Sequence, residues 1–246
     1  MNLTKCSGIF TCLIVITLST HGQTIGNTTE PNNSTSFETQ TYFGFRTGYS
    51  NYHMTGSEAD FRTTPYRVQF SDGSVDFQDK NKPIQWFTVG AIYRQKIYKR
   101  LAFQLEINYL REGGSFEAPP FGGYTLDRTN FVIDNLHIPI LLNLQAFAIG
   151  PLTMHLEGGI AANIVVNGVE LDRPNLHPSN IFNNPSVIPA SVCGAEIAWR
   201  HQKSHYLLNF RYTNDLTDFY QREYIGTHYN LKSKGFSVST GVLFGQ

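Results

Sequence analysis

Residues 136–166 read LHIPILLNLQAFAIGPLTMHLEGGIAANIVV. The stretch is apolar enough for a membrane helix, yet polar side chains recur at alternate positions. In an extended strand, successive side chains point to opposite faces. Leu136, Ile138, Ile140, Leu142 and Leu144 then share one face, and His137, Pro139, Leu141, Asn143 and Gln145 the other. Beyond Gly150-Pro151, the series Leu152, Met154, Leu156, Gly158 and Ile160 opposes Thr153, His155, Glu157, Gly159 and Ala161. A helix would scatter these apolar residues around its circumference. The stretch is predicted to be two amphipathic strands with Gly150-Pro151 in the turn between them.

The same period of two recurs along the chain. It is plainest where Leu101, Phe103, Leu105, Ile107 and Tyr109 alternate with Ala102, Gln104, Glu106 and Asn108. Residues 43–49, 87–94, 193–199, 206–212 and 236–244 follow the same rule, which makes eight predicted strands. Two irregularities interrupt it. Phe131 and Ile133 are apolar at odd positions, whereas the run from Leu136 is apolar at even ones. A bulge near Asp134-Asn135 would account for that shift. Pro139 lacks an N–H and should leave a local defect in its ladder.

The connections alternate in length. Residues 50–85, 111–135, 167–190 and 214–234 are long. Residues 97–100, 147–151 and 200–204 are short. Short periplasmic turns alternating with long outer loops are the pattern of an all-β, eight-stranded, antiparallel up-and-down transmembrane barrel. An even strand number closes the sheet and removes its edges. Tyr49 and Tyr109 fall toward one rim, and Trp199 and Tyr206 toward the other, as interfacial girdles would. A soluble lipocalin-type barrel shows the same alternation with its apolar face turned inward. Loop asymmetry and the charges on the less apolar face favour the membrane.

Composition agrees with a two-faced sheet. Charged residues make up 15% of the chain, below the ~25% of ordinary soluble domains. Formal net charge is zero, so nothing points to nucleic acid. Lys5 precedes the apolar run IFTCLIVITL and then Thr20-His21-Gly22. That is the order of a signal peptide, and the run is shorter than the ~20 residues a spanning helix needs. The expected organisation is a signal peptide over 1–22, a polar flexible leader over 23–40 and a barrel over 41–246. Cys12 lies inside the apolar run, which does not suit lipidation. After cleavage only Cys193 remains, so neither a disulfide nor a cysteine-bearing metal motif is expected.

Strand parity sorts the side chains into inner and outer sets. The inner set includes Arg46, Arg94 and Arg211 against Glu106, Glu157 and Glu196. Three charges of each sign fit a barrel narrow enough to be filled by side chains. His137 and His155 share that side and are expected to be hydrogen-bonded lumen residues. Leu105, Ile140, Leu156 and Phe210 belong to the set expected to face lipid.

The chain resembles the PorT-like outer-membrane β-barrel family of Bacteroidetes-type bacteria. The likeness runs over residues 41–246. It rests on Phe43-Gly44-Phe45, Arg111-Glu112-Gly113-Gly114, Leu136-x-Ile138-Pro139, Gly150-Pro151, Arg211-Tyr212 and Gly241-Val242-Leu243-Phe244. Bacterial barrels usually end in a signal for the barrel-assembly machinery, which Ser239, Gly241 and Phe244 match. Gln246 stands where that signal has an aromatic.

No catalytic motif is present, and an enzyme is not expected. Asp127, Asp134, His177, Asp215, Asp218 and His228 are candidates by residue type alone, expected on the outer loops. No cofactor is implied. In the first long loop, Tyr66 to Phe70 and Val75 to Phe77 flank Ser71-Asp72-Gly73-Ser74, as a raised hairpin would. Phe219, Tyr220, Tyr224 and Tyr229 in the last loop suit either a partner surface or loop packing. Two functional classes follow. One is a structural or interaction barrel that presents its outer loops to a protein or extracellular ligand. The other is a small transport or secretion-accessory barrel.

Overall fold

The computed structural model describes residues 40–70, 73–117, 128–172, 179–180, 187–224 and 227–245. The expected signal peptide, all of the leader but Gln40, and Gln246 lie outside them. Eight long strands build the body: β1 (Thr41–Thr55), β4 (Lys80–Tyr98), β5 (Leu101–Glu117), β6 (Arg128–Ile149), β7 (Leu152–Asp172), β9 (Val187–His201), β10 (Ser204–Asp215) and β12 (Thr227–Gly245). Each pairs antiparallel with the next, and β12 returns to β1. That last ladder runs from Tyr42 opposite Gly245 to Thr55 opposite Lys232. The sheet is therefore a closed eight-stranded antiparallel barrel.

Four smaller strands and a helix stand at the long-loop end. β2 (Tyr66–Phe70) and β3 (Gly73–Phe77) pair as a hairpin at the place the sequence predicts. β8 (Ser179–Asn180) pairs antiparallel with the end of β7, and β11 (Tyr220–Tyr224) folds back on β12. The helix α1 (Ser57–Thr63) is tied to β12 through Asn230, whose Oδ1 accepts from the Ser57 N–H and hydroxyl at 2.8 and 2.9 Å. The strands outrun the predicted segments because much of each long connection continues as paired strand. β6 and β7, for example, reach back to Arg128 and on to Asp172.

The facing is that of a membrane barrel. Phe45, Phe87 and Ile160 point outward and are 66, 72 and 63% exposed. Glu106, Glu157 and Glu196 are buried inside. This is the reverse of a lipocalin-type interior.

Both irregularities are resolved. The β5–β6 ladder is interrupted at Glu106 and Ile107, opposite Ile138 and Pro139, and resumes in the same register. The missing proline N–H explains the gap. The second expectation needs correcting. A bulge does fall between the partners of Asp134 and Asn135, but the extra residue is Val166 on β7. Strand β6 keeps its facing, and Phe131 and Ile133 point inward, 0 and 1% exposed. Above the band the inside of the barrel becomes apolar, so the apolar parity inverts without a slip.

Candidate functional site: the filled lumen and its mouths

Alternation along four strands brings the central charges together. Arg46 on β1, Glu106 on β5, Glu157 on β7 and Arg211 on β10 all project inward. Arg46 Nη1 donates to Glu106 Oε2 at 2.8 Å. Arg211 forks onto the same carboxylate, with Nη1 at 2.6 Å from Oε2 and Nη2 at 2.7 Å from Oε1. Arg211 Nε and Nη2 also hold Glu157, the second at 3.0 Å. One arginine thus spans two carboxylates, and one carboxylate spans two arginines. Arg94 completes the set, with Nη2 at 2.6 Å from Glu196 Oε2.

Neutral side chains join these pairs into one network. Arg94 Nε donates to Gln104 Oε1 at 2.5 Å, and Gln104 Nε2 donates on to Glu106. Asn108 Nδ2 reaches Glu106 Oε2 at 2.9 Å. Asn209 accepts from Arg46 and donates to Glu157, at 3.2 and 2.9 Å. The Ser239 hydroxyl accepts from Arg46 Nη2. Sequence reasoning placed the six charges but missed these relays, although all four share the inner parity. Paired, hydrogen-bonded charges avoid the cost of several kcal/mol that an unpaired buried ion carries. Small residues make the room. A Cβ on Gly90 would meet Asn108 Oδ1 at 2.0 Å, and one on Gly194 would meet Glu157 Oε1 at 2.9 Å.

Toward the long loops the chemistry changes twice. First comes a layer in which Asn163 Nδ2 donates to Glu112 Oε1 at 3.3 Å and Asp215 Oδ1 at 3.0 Å. The Ser233 N–H donates to Asp215 Oδ2 at 3.0 Å, and His137 Nδ1 lies 2.5 Å from Asn163 Oδ1. Neither carboxylate has a cation within salt-bridge distance among the described residues. Asp215 was expected on a loop. It closes strand β10 on the inner parity instead. Above it sits an apolar cap of Met54, Ala59, Phe116, Phe131, Ile133, Val165, Ile188, Phe219 and Leu231. Phe219, one of the expected loop aromatics, is buried there. The side chains of Tyr220, Tyr224, Tyr229 and His228, and all of Asp127 and His177, lie outside the described residues.

Of the other acidic candidates, Asp134 is held by Arg111 Nε at 2.6 Å and the Tyr109 hydroxyl at 2.8 Å. Asp218 accepts from Asn230 Nδ2 at 3.0 Å. Each belongs to a local pairing on its own stretch of the wall. Leu105, Ile140, Leu156 and Phe210 all take the outward parity. Ser239 and Gly241 face inward in β12 and Phe244 outward, opposite Phe43.

At the short-turn end an apolar layer of Ile92, Ala198, Leu207 and Leu243 lies below the ionic centre. A mouth of about 520 Å³ opens there. Its walls include Lys96, Lys99, Arg100, Arg200 and Lys203, with Arg94 and His155 deeper in. His155 Nε2 sits 3.3 Å from the Thr153 hydroxyl.

A closed barrel with an apolar outside and an ion-paired inside is the construction of an integral outer-membrane protein. The outer membrane protein beta-barrel domain family matches residues 40–245, and the chain belongs to it. No curated protein matches the chain. Among solved structures it is similar to Neisserial surface protein A at 14% identity, covering 82% of this chain and 96% of that one, with a TM-score of 0.39. It is also similar to Ail, the attachment invasion locus protein of Yersinia pestis. There the identity is 9%, the coverage 82 and 98%, and the TM-score 0.39. OprG from Pseudomonas aeruginosa gives 7%, with coverage of 83 and 95% and a TM-score of 0.39.

Proposed function

We propose that this outer-membrane barrel is a non-catalytic interaction protein, anchored in lipid and presenting its long-loop end to a protein or extracellular ligand. One observation carries the reading. Side chains from β1, β5, β7 and β10 are joined across the lumen through Glu106 and Arg211, and an apolar cap closes the long-loop end above them. A lumen filled in this way leaves the two ends as the surfaces on which the protein can act. Export by the N-terminal signal peptide and insertion by the barrel-assembly machinery, through Ser239, Gly241 and Phe244, belong to the same proposal. So does the PorT-like relationship, which rests on the short patches quoted above and carries no secretion role with it.

The test is paired. Purified protein in a planar bilayer is expected to give no steady, porin-like conductance. Intact cells are expected to retain a cross-linkable partner or ligand that is lost once protease shaves the outer loops. Large, steady conductance at low voltage would overturn the reading in favour of a transport barrel.

A further inference from the structure

We propose that the short-turn mouth is a binding site for a phosphate-bearing anion. The cavity there is about 520 Å³, and none of its lining residues is an aspartate or glutamate. Lys96, Lys99, Arg100, Arg200 and Lys203 line it, contributed by β4, the β4–β5 turn, β9 and the β9–β10 turn. Arg94 also reaches it, but its charge is taken by Glu196 at 2.6 Å. The other five have no carboxylate partner among the described residues.

The opposite end of the barrel is built differently. There Arg111 is paired with Asp134, Lys82 with Glu117, and Lys232 lies 3.6 Å from Asp218 Oδ1. Five cations without a carboxylate partner among the described residues thus gather around this one concavity. A concave, low-dielectric wall of one sign concentrates the field inside it. The five cations, from two hairpins, repel one another until an anion sits between them. Two are arginines, whose planar donor forks match phosphate oxygens two at a time. An anion bearing several oxygens and more than one charge uses this arrangement more fully than a single carboxylate does. Thr153, Gln145 and His205 supply further polar contacts in the same walls.

The level of the mouth indicates where such an anion comes from. Ile97, Tyr98, Ile149 and Trp199 are exposed around the same end. Aromatic and aliphatic side chains of this kind mark the boundary between lipid tails and headgroups. Two sources share the chemistry: a phospholipid headgroup at that boundary, and a soluble phosphorylated molecule below it.

The experiment titrates the whole protein in nonionic micelles, at about 0.15 M salt, with inorganic pyrophosphate and separately with a short-chain phosphatidylglycerol. Binding is followed by calorimetry and by amide shifts. At least one anion is expected to bind saturably. The variant Lys99→Gln/Arg100→Gln/Arg200→Gln/Lys203→Gln is expected to bind at least about tenfold more weakly. The control variant Lys82→Gln/Lys232→Gln, at the other end, is expected to bind as the parent does. Folding of each is checked by heat-shifted gel mobility. If the fourfold variant does not fold, the exposed pair Arg100→Gln/Lys203→Gln serves instead and is expected to show a partial loss. Binding of the lipid alone assigns the site to a headgroup, and binding of pyrophosphate alone to a soluble phosphate. The proposal is overturned if neither anion saturates, if the mouth variants bind unchanged, or if the control variant loses as much.

Discussion

Glu106 is the residue on which the interior depends most, because Arg46 and Arg211 both hold it. Glu106→Gln removes the one charge shared by two buried cations and is expected to cost about 3–5 kcal/mol of stability. Glu157→Gln should cost less, since Arg211 keeps its fork on Glu106. One residue away, Leu156→Arg puts a charge on the outer face near mid-band and is expected to cost about 2–4 kcal/mol. Denaturant unfolding in micelles would measure all three. Equal costs for the two glutamates would mean that the network is not shared as described, and a negligible cost for Leu156→Arg would mean that the outer face is wet. The six central charges were legible in the sequence because the period of two holds throughout the band. Glu112 and Asp215 were not. Their strands continue into connections that are long enough to be read as loops, and neither residue lies within a run of alternating apolar side chains.

At the scale of the strand, the apparent phase change in β6 has an instructive cause. Within the band, apolar side chains mark the outside, because lipid is there. Beyond it the outside is water, and apolar side chains mark the inside. Phe131 and Ile133 therefore look shifted by one residue relative to Leu136, although the strand runs straight between them. Alternation reports which face is apolar and not which medium touches it, so the sequence alone could not separate a bulge from a change of surroundings. The two explanations differ in an observable. Phe131→Ala empties part of a packed cap and is expected to cost about 3–5 kcal/mol. A residue displaced to the outside by a bulge would lose far less. Thermal unfolding of the variant decides the matter. The proline defect was legible because an absent N–H has the same meaning in any medium.

The eight-stranded body is a closed sheet, with a lipid-compatible belt outside and layered chemistry within. It is expected to fractionate with the outer membrane, to show β-type circular dichroism and to migrate faster on gels when unheated. Recovery as a soluble monomer without detergent would contradict the facing of every strand. The eight-strand order was readable because turn lengths and periodicity are local in the chain. The basic mouth was not, since its cations are separated in sequence and only closure gathers them. Closure also sets the order in which the protein can be completed. Its seam joins β1 to β12, the first and last strands of the barrel, with Thr47 opposite Thr240. Such remote pairing is slow, because a long stretch of chain must be ordered before the contact forms. Until the final strand arrives, β1 carries a bare row of donors and acceptors that any other strand could take. A chain truncated before β12 would thus present an open sheet prone to stick to its neighbours, however well its first seven barrel strands had formed.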